Sequence, residues 1–286
     1  MPLSIAHLGP AGTYAEEAAL TYAGWVAEET GQPAQLCPCP SIAQSLYATA
    51  GGKTEIAVVP VENSIEGGVT FTLDTLWQLA GLQIQQALVL PISHRLLSFA
   101  PDLQQIQTVY SHPQALSQCQ NWLDRNLPQA QLIPMPSTTD VLTRLQADLS
   151  LGAIASRRAA QLYNLPILAS EIQDYPDNCT RFWVLRQGQA EPTPSAQDTH
   201  TSLAFSLSAN APGALMQALG IFSDRQINLS RIESRPSKRA LGDYVFFVDL
   251  EVGDRPDAVE SALVELAAHT DVLKILGNYR LRQIAS

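Results

Sequence analysis

Cysteine is scarce in this chain. Four in 286 residues do not make the disulfide framework that staples a small secreted domain. Cys37 and Cys39 form a Cys-x-Cys pair, Cys119 and Cys179 stand alone, and no pair has strong zinc spacing. Positive charge is also short. The 17 Lys and Arg against 27 Asp and Glu leave a net charge of −10, which argues against a basic face that meets nucleic-acid phosphate. There is no uncharged apolar run of about 18 residues, the length a bilayer-spanning helix needs. The opening MPLSIAHLGPAGTY lacks the basic start and long apolar core of a signal peptide. These absences read together as a cytoplasmic, soluble and metal-free protein.

What is present is enough apolar residue to build a core. Hydrophobic residues are 46% of the chain and charged ones 15%, outside the disordered range. At about 150 residues per domain, the length suggests two domains. The clearest break is RQGQAEPTPSAQDTH at 186–200, polar and proline-containing with no apolar period. Before residue 201 the chain holds 8 Lys and Arg against 17 Asp and Glu; from there on it holds 9 against 10.

Upstream of the break, short apolar runs at 4–8, 56–60, 88–91, 108–110, 131–135 and 153–155 alternate with helical patterns at 13–30, 113–127 and 138–148. Such alternation predicts an α/β sheet with helices on its faces, and ligands on such sheets bind beyond the carboxyl ends of strands. Downstream, strands at 202–207, 228–234, 244–252 and 272–281 with helices at 212–223 and 256–269 give βαββαβ, a ferredoxin-like order.

Four polar constellations fall on strand ends in the first part. GPAGTY (9–14) carries Thr13 and Tyr14 at a helix start, where free N–H groups attract an anion. It is not GxGxxG and no acid follows for a ribose, so it does not read as a dinucleotide site. PVENSIEGGV (60–69) delivers Glu62, Asn63 and Ser64 from an apolar strand, followed by two glycines. SHPQALSQC (111–119) places Ser111 and His112 before a helix-starting proline, with Gln118 about two turns in. No GxSxG surrounds Ser111, so a hydrolase triad has no support. DNCTRF (177–182) leads Thr180, Arg181 and Phe182 into a strand, and Arg181 is the best fork for a substrate carboxylate. In the second part, GALMQAL (213–219) opens a helix and ESRP (233–236) ends a strand.

Together, in this order, these motifs resemble the prephenate dehydratase family over nearly the whole chain. The C-terminal part resembles the ACT domain, an amino-acid-binding module. No chorismate mutase segment precedes the motifs, as in the monofunctional form. The resemblance implies two α/β lobes around a cleft, similar to type II periplasmic binding proteins. They are placed at about 1–78 plus 167–185 and at 79–166, within a catalytic domain of 1–187. A linker at 188–200 and an ACT domain at 201–282 follow. The family reaction removes water and carbon dioxide from prephenate to give phenylpyruvate, on the way to L-phenylalanine. Aromatisation drives it, so no cofactor is expected. The same motifs fit arogenate as substrate, and the fold also allows a non-catalytic amino-acid sensor.

The resemblance puts Thr180 at the centre of catalysis, with Asn63, Ser111, Gln118 and Glu62 as further catalytic residues. Thr13, Tyr14, Ser64, Arg181 and Phe182 are expected to bind substrate. L-Phe is expected as an allosteric effector on the ACT domain. Its carboxylate would lie at Gly213, Ala214 and Leu215, its ammonium at Asn210, Asn228 and backbone carbonyls, and its ring against Leu215 and the turn of Glu233, Ser234, Arg235 and Pro236, from the same or the neighbouring chain. A homodimer or homotetramer is expected, without nucleic-acid or membrane partners.

Overall fold

The protein is described here from a computed structural model over residues 2–135, 139–189, 193–208 and 211–285. The chain opens with β1 (Leu3–Leu8), α1 (Tyr14–Thr30), β2 (Ala34–Cys39), α2 (Ile42–Ala50) and β3 (Ile56–Asn63). The short β4 (Gly67–Gly68), α3 (Thr70–Gln78) and β5 (Leu82–Pro91) follow. It crosses to β6 (Arg95–Leu97), β7 (Thr108–Ser111), α4 (Pro113–Ser117), α5 (Gln120–Asn126), β8 (Gln131–Pro134), α6 (Thr139–Leu142), β9 (Leu151–Ala155), α7 (Arg157–Leu162) and β10 (Ile167–Ala169). It returns as β11 (Cys179–Gln187). It ends with β12 (His200–Leu207), α8 (Ala214–Asp224), β13 (Leu229–Pro236), β14 (Tyr244–Glu251), α9 (Pro256–His269) and β15 (Thr270–Gln283).

Among the described residues the strands form two sheets. One has ten strands in the order β13-β14-β12-β15-β5-β11-β3-β1-β2, with β4 beside β3, and the other runs β10-β6-β9-β7-β8. The lobe boundaries therefore differ from the expected ones. β5 pairs along its length with β11 and belongs to the first lobe, while β10 pairs with β6 and belongs to the second. The crossing comes after Pro91, because the second half of β5, residues 87–90, is apolar on both faces and needs the covered centre of the larger sheet.

The C-terminal βαββαβ unit forms as expected, with α8 and α9 on one face over Leu203, Phe205, Val248 and Leu250. Its other face is not free. Ala204, Val245, Phe247, Leu276 and Tyr279 share one core with Val59, Val61, Leu73, Leu76, Trp183 and Leu185 of the first lobe. β15 also runs on past the unit, and residues 280–283 pair in parallel with 86–89 of β5. The junction needs Gly277, because a Cβ there would lie 2.5 Å from the Ile84 carbonyl oxygen.

Two helices differ from the sequence pattern. The helix expected at 113–127 breaks at Gln118, whose carbonyl accepts the Asp174 N–H at 2.7 Å. The Asp174 carboxylate then caps the amides of Asn121 and Trp122 at 3.0 and 3.2 Å, starting α5. The helix expected at 138–148 is regular only in α6; beyond it, Arg144 and Ala147 bond back three residues rather than four. Its first residue, Thr138, lies outside the described residues.

Candidate active site

The cleft between the lobes lies at the carboxyl ends of β1, β3 and β7 and at the start of β11. β11 and β3 pair antiparallel with Thr180 opposite Asn63. Alternation along β11 turns Thr180 and Phe182 toward the cleft, where both line a cavity of about 380 Å³. An adjoining cavity of about 440 Å³ is bordered by the 8–14 turn, Ser111 and Ser156.

Asn63 is the pivot. Its Nδ2 amide shares two hydrogens among Thr180 Oγ1 at 3.0 Å, Asn178 Oδ1 at 2.9 Å and the Cys179 carbonyl at 3.1 Å. Its Oδ1 accepts the amides of Ile65 and Glu66 at 3.0 and 3.1 Å, so the turn after β3 fixes which way the amide faces. Thr180 Oγ1 is thus an acceptor from within the wall, and its own hydrogen remains for the cleft. Ser64 Oγ accepts the Cys179 amide at 3.0 Å and donates to Asn178 Oδ1 at 3.4 Å.

From Asn178 the network crosses to the other lobe. Asn178 Nδ2 and His94 Nε2 both donate to Gln118 Oε1 at 3.0 Å, while Gln118 Nε2 donates to Glu66 Oε1 at 3.3 Å. The bond to Gln118 Oε1 assigns a hydrogen to His94 Nε2, while its Nδ1 lies 3.1 Å from the Tyr14 hydroxyl, which donates to the Ser93 carbonyl at 2.9 Å. Burial pushes His94 below its ordinary pKa, against the opposing bond to Gln118, and pushes the Tyr14 phenol up. Both rings stay neutral near pH 7.

Of the expected cleft residues, Thr180, Asn63, Gln118, Thr13, Tyr14 and Phe182 border the first cavity, and Ser111 the second. Ser111 is committed, donating to the Ile154 carbonyl at 2.7 Å. Thr13 caps α1, accepting the Glu16 amide at 3.2 Å. Ser64 lines neither cavity and braces the wall through its bonds to Cys179 and Asn178.

Two expectations are corrected. Arg181 is not a fork in the cleft. It points to the opposite face of β11, where Nη2 lies 2.7 Å from both Glu62 Oε2 and Asp249 Oδ2. Glu62 faces the same way and is no acid in the cleft. The cause is the two-residue period of paired strands, which sends Arg181 and Glu62 behind the wall that Thr180 and Asn63 face. Among the described residues no lysine or arginine lines either cavity.

His94 and Asn178 are the residues that sequence reasoning left without a role. Each follows the pattern that identified Asn63, a polar residue at a strand end, and Asn178 sits inside the DNCTRF motif.

The expected effector residues scatter. Asn210 lies outside the described residues. Gly213 starts α8 with φ of 84°, next to the half-buried Ala214 and Leu215. Asn228 is exposed at the other end of that helix, about 16 Å away by helical rise, so one chain does not bring it to Gly213. Residues 233–236 are strand rather than turn, and their side chains alternate. Ser234 and Pro236 are exposed. Arg235 instead forks onto Asp74 of α3 at 3.0 and 3.3 Å, and Glu233 pairs with Arg231 at 2.7 Å. Glu233 also leans on Gly68, where a Cβ would stand 1.8 Å from its Oε2. Within the chain, Arg235 is therefore tied to α3 of the first lobe, and Glu233 to Arg231 of its own strand. Arg235 and Lys238 outweigh burial and hold the Asp74 carboxyl below its usual range.

Comparison with known proteins places this arrangement. A family model described as Prephenate dehydratase matches residues 5–190, and one described as ACT domain matches 201–268. The bifunctional chorismate mutase/prephenate dehydratase of Aquifex aeolicus is 42% identical over 97% of this chain and 73% of its own length. The prephenate dehydratase of Methanocaldococcus jannaschii is 36% identical, over 94% of this chain and 95% of its own. The solved structure of prephenate dehydratase from Arthrobacter aurescens in complex with L-Phe is 34% identical, with a TM-score of 0.85 over 97% of this chain and 90% of that one.

Proposed function

The chain belongs to the prephenate dehydratase family, and on that premise we propose that Thr180 donates the hydrogen bond that draws the ring hydroxyl out of prephenate. The enzyme is a hydro-lyase that turns prephenate into phenylpyruvate, water and carbon dioxide. The observation that carries the reading is the polarity of the Asn63–Thr180 bond. Asn63 spends its N–H on Thr180 Oγ1, so the free hydrogen of Thr180 is available to substrate. As the C–O bond breaks, its electron pair goes to the departing oxygen. The pair of the carboxylate C–C bond enters the ring, and carbon dioxide leaves. The hydroxide forms against the Thr180 O–H, a bond that strengthens with the developing charge, and solvent protonates it.

The cleft chemistry suits this division. The ring carboxylate has to lose its charge, and a guanidinium beside it would stabilise the ground state more than the transition state. In this reading it lies along the apolar wall of Leu8, Ile92 and Phe182, and the pyruvyl carboxylate meets the first turn of α1 at Thr13 and Tyr14. Asn63, Gln118 and Ser111 frame the ring between the lobes.

Feedback inhibition by L-Phe belongs to the same proposal. It is supported by the ACT match and by the L-Phe complex of the Arthrobacter aurescens relative. The start of α8 offers the N–H groups of Gly213 and Leu215 to a carboxylate, while that of Ala214 bonds the Ala211 carbonyl at 3.1 Å. Ser234 and Pro236, with Asn228 from a second chain, complete an effector site across a dimer whose contact is the exposed edge of β13. Light scattering at micromolar concentration is expected to give at least a dimer.

The test is turnover of prephenate, read as phenylpyruvate absorbance with arogenate in parallel and with added L-Phe. Thr180→Ala is expected to lower kcat by about 100-fold with little change in KM, roughly 2.7 kcal/mol of transition-state stabilisation. Thr180→Ser is expected to recover most of the rate. A serine form as inactive as the alanine form would assign the effect to packing of the methyl group.

A further inference from the structure

Behind the cleft wall lies a buried cluster of charge that the reaction does not touch. Arg181 is 9% exposed, and its one Nη2 nitrogen is 2.7 Å from carboxylates in two different parts of the protein. Glu62 belongs to β3, one residue before Asn63. Asp249 belongs to β14 of the C-terminal unit and is 1% exposed. Asp249 is itself held, since its Oδ1 accepts from Ser202 Oγ at 2.6 Å, and Ser202 bonds the Tyr279 hydroxyl at 2.7 Å. Burial opposes the charge on Arg181, and Asp249, Tyr279 and Glu62 outweigh it, so the guanidinium stays charged.

The position of this ion pair in the strand register gives it a purpose. Thr180 faces Asn63 and Arg181 faces Glu62, but Phe182 faces Pro60, so the pairing slips by one residue just after Arg181. A bulge of this kind bends the strand and re-aims a side chain. The Arg181–Glu62 bond closes the strands on the back at the step next to the one where Asn63 meets Thr180 on the front. The back pair and the 3.0 Å front bond are adjacent steps of one ladder.

We propose that Arg181 is a positioning residue for the dehydration step. Anchored on Asp249 of the ACT sheet, it holds β11 against β3 so that Asn63 keeps the Thr180 hydroxyl aimed into the cleft. The inference rests on the reading of Thr180 as the hydrogen-bond donor. It makes the ACT sheet a structural part of the catalytic wall. It also predicts that a charge removed from Asp249 is felt as lost rate rather than lost substrate binding.

A double-mutant cycle on the full chain tests it. Asp249→Asn keeps shape and removes the charge. It is expected to lower kcat, per folded molecule, by about 10-fold while KM for prephenate stays within about twofold. In a Thr180→Ala background the same substitution is expected to cost less than about twofold, because the group it positions is gone. Glu62→Gln, at the more exposed partner, is expected to follow the same pattern more weakly and stands in if Asp249→Asn does not fold. Losses that multiply in the Thr180→Ala background would overturn the proposal. So would an unchanged kcat, or a raised KM at unchanged kcat, which would put Arg181 on the substrate. Near-normal turnover by Thr180→Ala alone would sink the hydroxyl reading and this one with it. An additive cycle on an inactive Thr180→Ala form would sink this one only.

Discussion

On the front of β11, Thr180 meets Asn63 through neutral amide and hydroxyl groups, and the cavity beyond carries no lysine or arginine among the described residues. On the back, one residue along, Arg181 sits between Glu62 and Asp249, with Arg231, Glu233, Arg235 and Asp74 extending the ionic contacts toward α3. The same strand separates a neutral reactive face from a charged structural one. Neutral donors in the cleft are directional and do not trap a carboxylate that has to leave as carbon dioxide. Buried ions are poor sources of net stability but strict about geometry, since an unpartnered charge there is costly. The front face therefore carries the chemistry and the back face its alignment.

The harshest way to break this comparison is to remove the back. A chain ending at Gln187 loses Asp249, the β15 strand beside β5, and the apolar cover over Val59, Val61, Trp183 and Leu185. It is expected to be insoluble or inactive, checked by expression, sedimentation and turnover of prephenate. A soluble fragment with full activity would show the charged face to be dispensable. A gentler cut is Gly277→Ala, which drives a Cβ against the Ile84 backbone. It is expected to cost about 1–3 kcal/mol, seen as a lower Tm with a kcat loss like that of Asp249→Asn.

The smallest effect comes from the front. His94 is held below its ordinary pKa by burial, so as pH falls the unfolded chain takes up the proton first. Stability is then lost as pH drops below about 6.5 and levels off once the native pKa is passed. His7 and His200 are lowered in the same sense. His94→Gln is expected to flatten part of that slope, by less than about 1.4 kcal/mol per pH unit, in denaturant melts between neutral and mildly acid pH. An unchanged slope would mean that His94 is solvated and free of the Gln118 frame.

Much of this was legible in the chain. Apolar runs ending in polar residues located Asn63 and Ser111 at strand ends and Thr180 at a strand start, the family resemblance put all three at a cleft, and the βαββαβ order of the second unit was readable from its periods. The direction of Arg181 was readable too. In a strand, Thr180 and Phe182 share a face and Arg181 takes the other, and the chemical appeal of a guanidinium for a carboxylate obscured that signal. His94 had only its strand-end position to mark it, because its partners come from three other segments.

By itself, the sequence determined which residues stand at strand ends and helix starts, since period, caps and turns act over a few neighbours. From this followed the two units and the family they resemble. Only the tertiary structure decided that β5 belongs to the first lobe, that β15 runs on into its sheet, and that Glu62, Arg181 and Asp249 meet behind the wall. Those outcomes depend on strand pairings between residues up to about two hundred positions apart. The free energy of such pairings comes from burying two surfaces against each other, and neither local segment carries a record of its partner.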